Sequence, residues 1–319
     1  MKELQNLTPS NSKKLLVILP IKKVNDIYLN ECAYSLAQQT YPIDLLILHN
    51  GSEEELNSIK SIMDAPSITV SQKNDAGEIT NSIVSANNKI NYCINSTTSS
   101  NFQELFNEGF NYASDNEYEL FSIIEPEDSL DAKWYSNAIK YSDSKPDKDG
   151  FMPLMREVSN GNFVGFFNEA CWFEAYAEEA GTFDLQLLMR FNCINITSSV
   201  FRTKSLEQQA TKIGDTFKIL KENFKISYGY EFFLRMIYND LKFYTIPRLG
   251  YEHRVDIALD IIDPFSSKIP RNIAQIPIER GGISPEELKY WLDAAKKEYF
   301  ISRHDRVLKF EPKPSLAIA

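Results

Sequence analysis

Leu15-Leu16-Val17-Ile18-Leu19-Pro20 is the stretch that decides the fold, because it predicts a β-strand buried on both faces near the start of this 319-residue chain. The proline lacks an amide hydrogen for a neighbouring strand, so it suits a strand end. The aliphatic run is too short to span a bilayer, and no small-residue cleavage site follows it. We therefore expect no signal peptide, no transmembrane segment and a cytoplasmic location.

Short apolar runs alternate with amphipathic stretches after this strand, as is typical of a parallel sheet covered by helices. Asp26 is expected to cap a first helix, and Leu45-Leu46-Ile47-Leu48 predicts a second buried strand. Ser52 and Glu55 form a capping-box pair that opens a second helix. The next predicted elements are a strand over 67–72, a helix capped by Asn101, a strand over 119–124 and a helix over 131–141.

The second half of the chain has a mixed pattern. A polar stretch over 142–150, with Pro146 at its centre, has the composition of a linker. Ser284 and Pro285 predict the start of a last helix, which a polar tail follows from Ile301. The other predicted elements are strands over 151–158, 163–167, 185–201 and 242–254, and helices over 169–179 and 230–238.

The composition is that of a globular protein, with 43% hydrophobic and 24% charged residues. Acidic residues outnumber basic ones by 44 to 34, which gives a net charge of -10. A protein that coats nucleic acid normally carries a basic face, so we expect no nucleic-acid partner. The four cysteines lack the close spacing of a zinc site and are expected to be reduced and buried.

Three segments together resemble the family 2 glycosyltransferases, which have the GT-A fold. Val17 to Pro20, Leu29 to Pro42 and Leu46 to Ser52 are similar to that family's first strand, first helix end and second-strand turn. Phe121 to Asp128 stands where the family carries its DxD motif. Later matches are Ile213 to Phe217 with Tyr230 to Arg235, which resemble the family's 'GxFD' and 'DYELWLR' pieces, and Tyr251 to Arg254, which resembles its closing strand. The resemblance implies an α/β fold with a mostly parallel central sheet and helices on both faces.

The same resemblance sets the expected domain boundaries. It implies a glycosyltransferase domain over 1–256, with a nucleotide-binding half at 13–143 and an acceptor half at 150–256. Residues 257–319 are then a C-terminal extension with one helix, whose tail is a candidate docking segment for a protein partner.

Glu125 and Glu127 follow the predicted strand over 119–124 and are the candidate metal ligands. Alternate side chains of an extended segment point the same way, so both carboxylates could converge on one divalent cation, Mn²⁺ or Mg²⁺. Such an ion would stabilise a departing diphosphate. The resemblance adds His253 as a third ligand. A solvated acidic turn remains the alternative interpretation.

Other positions are assigned to the donor and to catalysis by the resemblance. Pro20, Asn50, Glu125, Arg235 and Arg254 are the candidate donor-binding residues. Asparagine stands at position 50 where the family usually has aspartate, and its amide can both donate and accept hydrogen bonds.

A general base is needed to take the proton of an acceptor hydroxyl. The family's usual aspartate falls on Gly229, so Glu231 is the nearest candidate base, with Asp215 and Asp128 as fallbacks.

The resulting hypothesis is a metal-dependent transfer of a sugar from a nucleotide-sugar donor to a glycan, lipid or protein acceptor. Two alternatives stay open: a catalytically inactive GT-A-like subunit of a larger assembly, and a nucleotidyltransferase on a similar sheet. The sequence also has an aromatic cluster at 163–176, which includes Phe163, Phe166 and Trp172. We expect most of these side chains to pack in the core rather than to stack on an acceptor sugar.

Overall fold

The structure is a computed structural model, which describes residues 13–73, 79–99, 101–159, 162–166, 168–172, 179–183, 187–188, 195–213, 219–220 and 228–254. The predicted C-terminal extension over 257–319, its tail, and Asp215 lie outside the described residues. The proposed division of the chain at residue 256 therefore stays a prediction.

Twelve strands and six α-helices are described. In chain order they are β1 (Leu15–Ile21), α1 (Asp26–Ala37), β2 (Asp44–His49), α2 (Glu53–Asp64), β3 (Ser67–Lys73), β4 (Ile79–Ser85), β5 (Asn91–Ser96), α3 (Phe102–Asp115), β6 (Leu120–Ile123), β7 (Ser129–Leu130), α4 (Trp134–Ser144), β8 (Gly150–Ser159), β9 (Asn162–Phe166), β10 (Thr182–Phe183), β11 (Val200–Arg202), α5 (Thr203–Ile213), α6 (Tyr228–Tyr238) and β12 (Phe243–Arg254). A short 3₁₀ helix spans Glu169–Trp172, where the sequence predicted the start of a longer helix.

The central sheet has the strand order β10-β12-β8-β11-β6-β1-β2-β5. Strands β5, β2, β1 and β6 are parallel neighbours, and β8 is parallel to β12. Strand β11 lies between β6 and β8 and is antiparallel to both, so β6, β8 and β12 run in the same direction. The carboxyl ends of these strands therefore meet at one edge of the sheet, which is the edge where open α/β sheets bind ligands.

Helices cover both faces of the sheet, as predicted. Alternate residues of β1 belong to different cores: Ile18 faces the layer of α3, α5 and α6, and Val17 faces the layer of α1, α2 and α4. Every residue of β1 is buried, which explains its continuous apolar sequence. The described residues thus show the mixed α/β architecture that the sequence led us to expect.

Local capping signals are confirmed at α2 and α3. Ser52 accepts from the Glu55 amide while Glu55 accepts from the Ser52 amide, and Asn101 caps α3 through the Glu104 amide. At α1 the cap is Asn25 rather than the predicted Asp26, which is the first helical residue. Because Asp26 still lies in the first turn, its charge still favours the positive end of the helix dipole.

Two differences from the expected fold concern the region after α2. The strand predicted over 67–72 forms, but it pairs with β4 as a separate two-stranded sheet. The next strand of the central sheet is β5, beside β2. Its sequence, Asn91 to Ser96, is largely polar because β5 is the last strand of the sheet on that side. In the described part of the chain, no helix is both long and apolar enough to cross a membrane.

Candidate functional site

The carboxyl edge of the sheet collects polar residues from four strands. Lys22 follows β1, Asn50 follows β2, Glu125 follows β6, and His253 lies near the end of β12. Parallel strand direction brings these residues, which are far apart in sequence, to the same side of the molecule. This edge is therefore the candidate functional site.

A tight turn follows β6 and positions the acidic residues. The amide of Asp128 donates to the carbonyl of Glu125 at 3.2 Å, and Pro126 occupies the second position of the turn, which suits its fixed φ angle. The segment is therefore a turn, whereas the sequence interpretation assumed an extended chain. The argument that Glu125 and Glu127 point the same way therefore no longer applies, because side chains alternate regularly only along an extended chain.

Asp128 is the buried centre of the site. Its Oδ2 accepts from the Tyr251 hydroxyl at 2.5 Å and lies 2.7 Å from Nδ1 of His253, while its Oδ1 accepts from the Arg254 amide at 2.9 Å. All three partners belong to β12. An ionised carboxylate can only accept, so Nδ1 of His253 carries a proton. Asp128 therefore fixes the orientation of the histidine ring and ties the turn after β6 to β12.

The remaining nitrogen of His253, Nε2, is buried and has no hydrogen-bond partner among the described residues. Buried polar atoms are nearly always satisfied, so this one requires an explanation. Burial alone lowers the pKa of His253, but the charge and hydrogen bond of Asp128 and the charges of Glu125 and Glu157 raise it to about 9. Nε2 is thus either a donor to an anionic ligand or, once deprotonated, a ligand for a cation.

Glu125, Asp128 and His253 each place one ligand atom within 4.8 Å of the others, which would suit a metal ion. A histidine oriented by a carboxylate is a common metal-ligand arrangement, in which the carboxylate holds the ring. The sequence interpretation named Glu125 and His253 but treated Asp128 only as a fallback base. Its partners on β12 lie more than a hundred positions away, so no local signal marked it.

Glu127 was the other predicted ligand. Its backbone carbonyl accepts a hydrogen bond from Nη1 of Arg254 at 2.7 Å. Burial and the charge of Asp128 raise the pKa of the Glu127 carboxyl to about 7, while His253 and Lys22 oppose that shift. A metal-binding role of Glu127 stays a prediction.

Arg254 joins the turn to the first helix. Besides the Glu127 carbonyl, its guanidinium pairs with Glu31 of α1 and lies 4.8 Å from the ring centroid of Tyr28. Its half-buried cationic group therefore lies beside the acidic turn. This position is compatible with the predicted contact to a diphosphate.

Asn50 is exposed at the end of β2, and its amide nitrogen donates to the Ser99 carbonyl at 3.1 Å. It thereby connects the loops after β2 and β5. Pro20 is buried inside β1, beside Leu48, one residue before the strand ends. The donor-binding roles of both residues stay predictions.

Glu231 and Arg235 are paired with each other on α6. Nε of Arg235 lies 2.6 Å from Oε1 of Glu231, and Nη2 lies 3.1 Å from Oε2, which makes the pair bidentate. Nη2 also donates to the Ile219 carbonyl at 2.5 Å, and both side chains are buried. Helix α6 packs in the layer of Phe106 and Phe201, whereas Tyr251 belongs to the other layer. The structure therefore brings Glu231 and Arg235 together, but not into the group formed by Glu125, Asp128 and His253.

Three of the four cysteines, Cys32, Cys93 and Cys171, are free and buried, as the sequence predicted. Cys193 lies outside the described residues.

Comparison with known proteins places this architecture in a class. No protein-family model and no curated protein matches the sequence. Solved structures do match, and they fit a GT-A-like fold. S. aureus TarS 1-349 in complex with UDP-GlcNAc has 16% sequence identity and a TM-score of 0.56, over 89% of this chain and 66% of that chain. A longer S. aureus TarS structure has 16% identity and a TM-score of 0.52, over 76% of this chain and 37% of that chain.

The chain thus spans between about a third and two thirds of the TarS chains that it matches. At this identity the likeness concerns the fold, and the GT-A-like class predicted from the sequence is confirmed at that level. Chemistry and substrates have to be argued from the residues at the carboxyl edge.

Proposed function

We propose that this protein is a glycosyltransferase that binds a nucleotide-sugar donor at the carboxyl edge of its sheet. The observation that carries the proposal is the group Glu125, Asp128 and His253, in which a buried carboxylate orients a buried histidine whose Nε2 lacks a partner among the described residues. A GT-A-like fold similar to a protein solved with UDP-GlcNAc supports a nucleotide sugar as the ligand. UDP-sugars are therefore the first donors to test.

The donor is proposed to lie across the strand ends, from Asn50 to Arg254. Asn50 uses its amide nitrogen for the Ser99 carbonyl, so we assign its side-chain oxygen to an N–H or hydroxyl of the nucleoside. Arg254 is proposed to face the diphosphate, because a guanidinium matches phosphate geometry. Pro20 is proposed to border the nucleoside from β1.

A divalent cation, Mn²⁺ or Mg²⁺, is proposed to bind between Glu125 and His253. The donor set fits, since it combines carboxylate oxygen with an imidazole that a second carboxylate orients. When bound, such an ion offsets the negative charge of a leaving diphosphate. Asp128 is proposed as the residue that positions His253, because its oxygens already accept three hydrogen bonds from β12. Glu127 is a further candidate ligand.

The second candidate function is a non-catalytic module that binds a nucleotide sugar within a larger assembly. The observation that favours it is the buried bidentate pair of Glu231 and Arg235, because the predicted base is engaged by a guanidinium. Glycine at position 229 also favours a non-catalytic module, because the family 2 glycosyltransferases, which this chain resembles, usually carry the base aspartate at that position. Glu231 as general base and Arg235 as donor contact remain predictions.

Calorimetry with UDP-, GDP- and dTDP-sugars, with and without Mn²⁺, tests the donor proposal. We expect Mn²⁺-dependent binding of one nucleotide class, which Glu125→Gln weakens. Glu54→Gln is the matched control, because Glu54 is an exposed acid on α2. Absence of binding for all three classes would refute the proposal.

Release of free sugar from the donor, with water as acceptor, separates the two candidate functions. A transferase hydrolyses its donor slowly, whereas a binding module leaves it intact. Binding without any donor hydrolysis, in the presence of Mn²⁺, would favour the second function.

A further inference from the structure

Strand β9 places two phenylalanines on the surface. Phe163 is 56% exposed and Phe166 is 43% exposed, and their ring centroids lie 5.1 Å apart in an edge-to-face arrangement. The sequence pattern favoured core packing for both. Exposed aromatic rings that contact each other form an apolar surface patch, and such a patch can mark a ligand-binding site.

The register of the sheet places this pair at the same carboxyl edge as the candidate site. Phe166 is the partner of Arg156 on β8, and Arg156 is the partner of Glu252 on β12. The neighbouring row consists of Gly165, Glu157 and His253, and its side chains point to the opposite face of the sheet. Strand β9 therefore lies two strands from His253, a spacing of about 10 Å. The two rings stand at the same carboxyl edge as the proposed donor site.

Polar groups border the two rings. Arg156 and Glu252 form an ion pair in the row of Phe166, and their side chains are 41% and 24% exposed. Guanidinium and carboxylate groups at this exposure can form hydrogen bonds with hydroxyls. Sugar rings combine an apolar face of C–H groups with a rim of hydroxyls, so aromatic rings beside an exposed ion pair match both features.

We propose that Phe163 and Phe166 form an acceptor platform, which stacks on a sugar ring of a carbohydrate acceptor while Arg156 and Glu252 contact its hydroxyls. The inference rests on the proposed function and deepens it, since it names a carbohydrate as the acceptor class. A second copy of the chain is the competing occupant. Two rings beside an ion pair are a small area for that role, because stable protein interfaces bury about 800 Å² per partner.

The test uses an array of defined oligosaccharides, probed with the fluorescently labelled full chain in the presence of UDP-GlcNAc and Mn²⁺. We expect the wild type to bind a subset of the oligosaccharides, and Phe163→Ala/Phe166→Ala to lower that signal by about tenfold or more. Phe163→Tyr/Phe166→Tyr keeps the aromatic faces and is expected to retain binding. Ile83→Ala is the control, because Ile83 is 76% exposed on β4.

The inference is overturned if the wild type binds no oligosaccharide, or if the double alanine variant binds as well as the wild type. It is also overturned if light scattering gives a dimer mass for the wild type and a monomer mass for the double alanine variant, because the rings then hold a second copy of the chain. UDP-GlcNAc binding, measured by calorimetry on the same proteins, separates this inference from the proposed function. If the donor binds and no oligosaccharide does, the platform fails and the donor site stands. If oligosaccharides bind through the two rings and no nucleotide sugar does, the donor site fails and the platform stands.

Discussion

Asp128 Oδ2 lies 2.7 Å from Nδ1 of His253, and this contact joins the turn after β6 to the end of β12. The two residues are 125 positions apart in the sequence. The contact fixes the proton of the imidazole on Nδ1 and leaves Nε2 without a partner among the described residues, so Nε2 is the atom proposed to bind a ligand. The proposed function depends on this orientation of the ring.

Asp128→Asn is expected to weaken Mn²⁺-dependent donor binding by about 10- to 100-fold, because loss of a carboxylate that orients a metal-bound histidine has effects of this size. Calorimetry with UDP-GlcNAc at fixed Mn²⁺ measures the change. Asp143→Asn is the control, since Asp143 is exposed on α4 and pairs with Lys13. Unchanged affinity in Asp128→Asn would contradict the positioning role.

Glu231→Met is expected to lower the free energy of unfolding by about 3 kcal/mol or more, because it leaves the Arg235 guanidinium buried without its carboxylate. The double variant Glu231→Met/Arg235→Met is expected to recover most of that loss, since apolar side chains of similar size can replace a buried pair. Urea unfolding measures both variants. A double variant that is less stable than the single one would contradict this explanation.

Donor hydrolysis by the stable double variant then tests the predicted base. Loss of hydrolysis in a folded protein with normal UDP-GlcNAc affinity supports Glu231 as the base. Retained hydrolysis contradicts that role and shows that the pair of Glu231 and Arg235 is structural.

Much of the fold was predictable from local sequence. The apolar runs that begin at Leu15 and Leu45 form strands that are buried on both faces, and the Ser52–Glu55 capping box forms as expected. Such signals are readable because they depend on neighbouring residues only. Strand β5 was not predictable in this way, because a polar edge strand lacks a continuous apolar pattern.

The candidate site was predictable only in part. Glu125 and His253 were named from the family resemblance, and the structure places both beside Asp128. Asp128 itself was underrated, because its importance comes from Tyr251, His253 and the Arg254 amide on a distant strand. The exposure of Phe163 and Phe166 was also missed, since aromatic residues in sequence indicate packing and reveal nothing of a sheet edge.

Two glycines form a matched pair for a packing prediction. A Cβ on Gly109 of α3 would lie 2.6 Å from Cδ1 of Ile18, whereas a Cβ on Gly229 of α6 would meet no described atom within 4 Å. Gly109→Ala is expected to lower stability by about 1 kcal/mol, since overpacking outweighs the better helix propensity of alanine. Gly229→Ala is expected to raise stability by up to about 1 kcal/mol. Thermal unfolding of both variants checks the signs, and equal shifts would contradict the packing account.

Asp44, at the start of β2, gives a pH dependence of stability. Burial raises the pKa of its carboxyl, although hydrogen bonds from Asn91 and Tyr118 oppose the shift. An acid whose folded-state pKa lies above the unfolded value binds protons more tightly when folded, so its contribution to stability falls as pH rises from the unfolded pKa through the folded one.

The difference in melting temperature, wild type minus Asp44→Asn, is therefore expected to increase as pH is lowered from 7 towards 4. Melting curves of the two proteins over this range measure it. A difference that stays constant or shrinks on acidification would show that the Asp44 carboxyl is not destabilised by burial.

Electron paramagnetic resonance of Mn²⁺ with the protein and UDP-GlcNAc tests the central claim most directly, because ¹⁴N couplings report a coordinating imidazole. We predict that the wild type binds Mn²⁺ with a ¹⁴N coupling in the presence of UDP-GlcNAc, and that His253→Gln loses this coupling. Absence of donor-dependent Mn²⁺ binding, or an identical ¹⁴N coupling in His253→Gln, would contradict a donor and cation site at Glu125, Asp128 and His253.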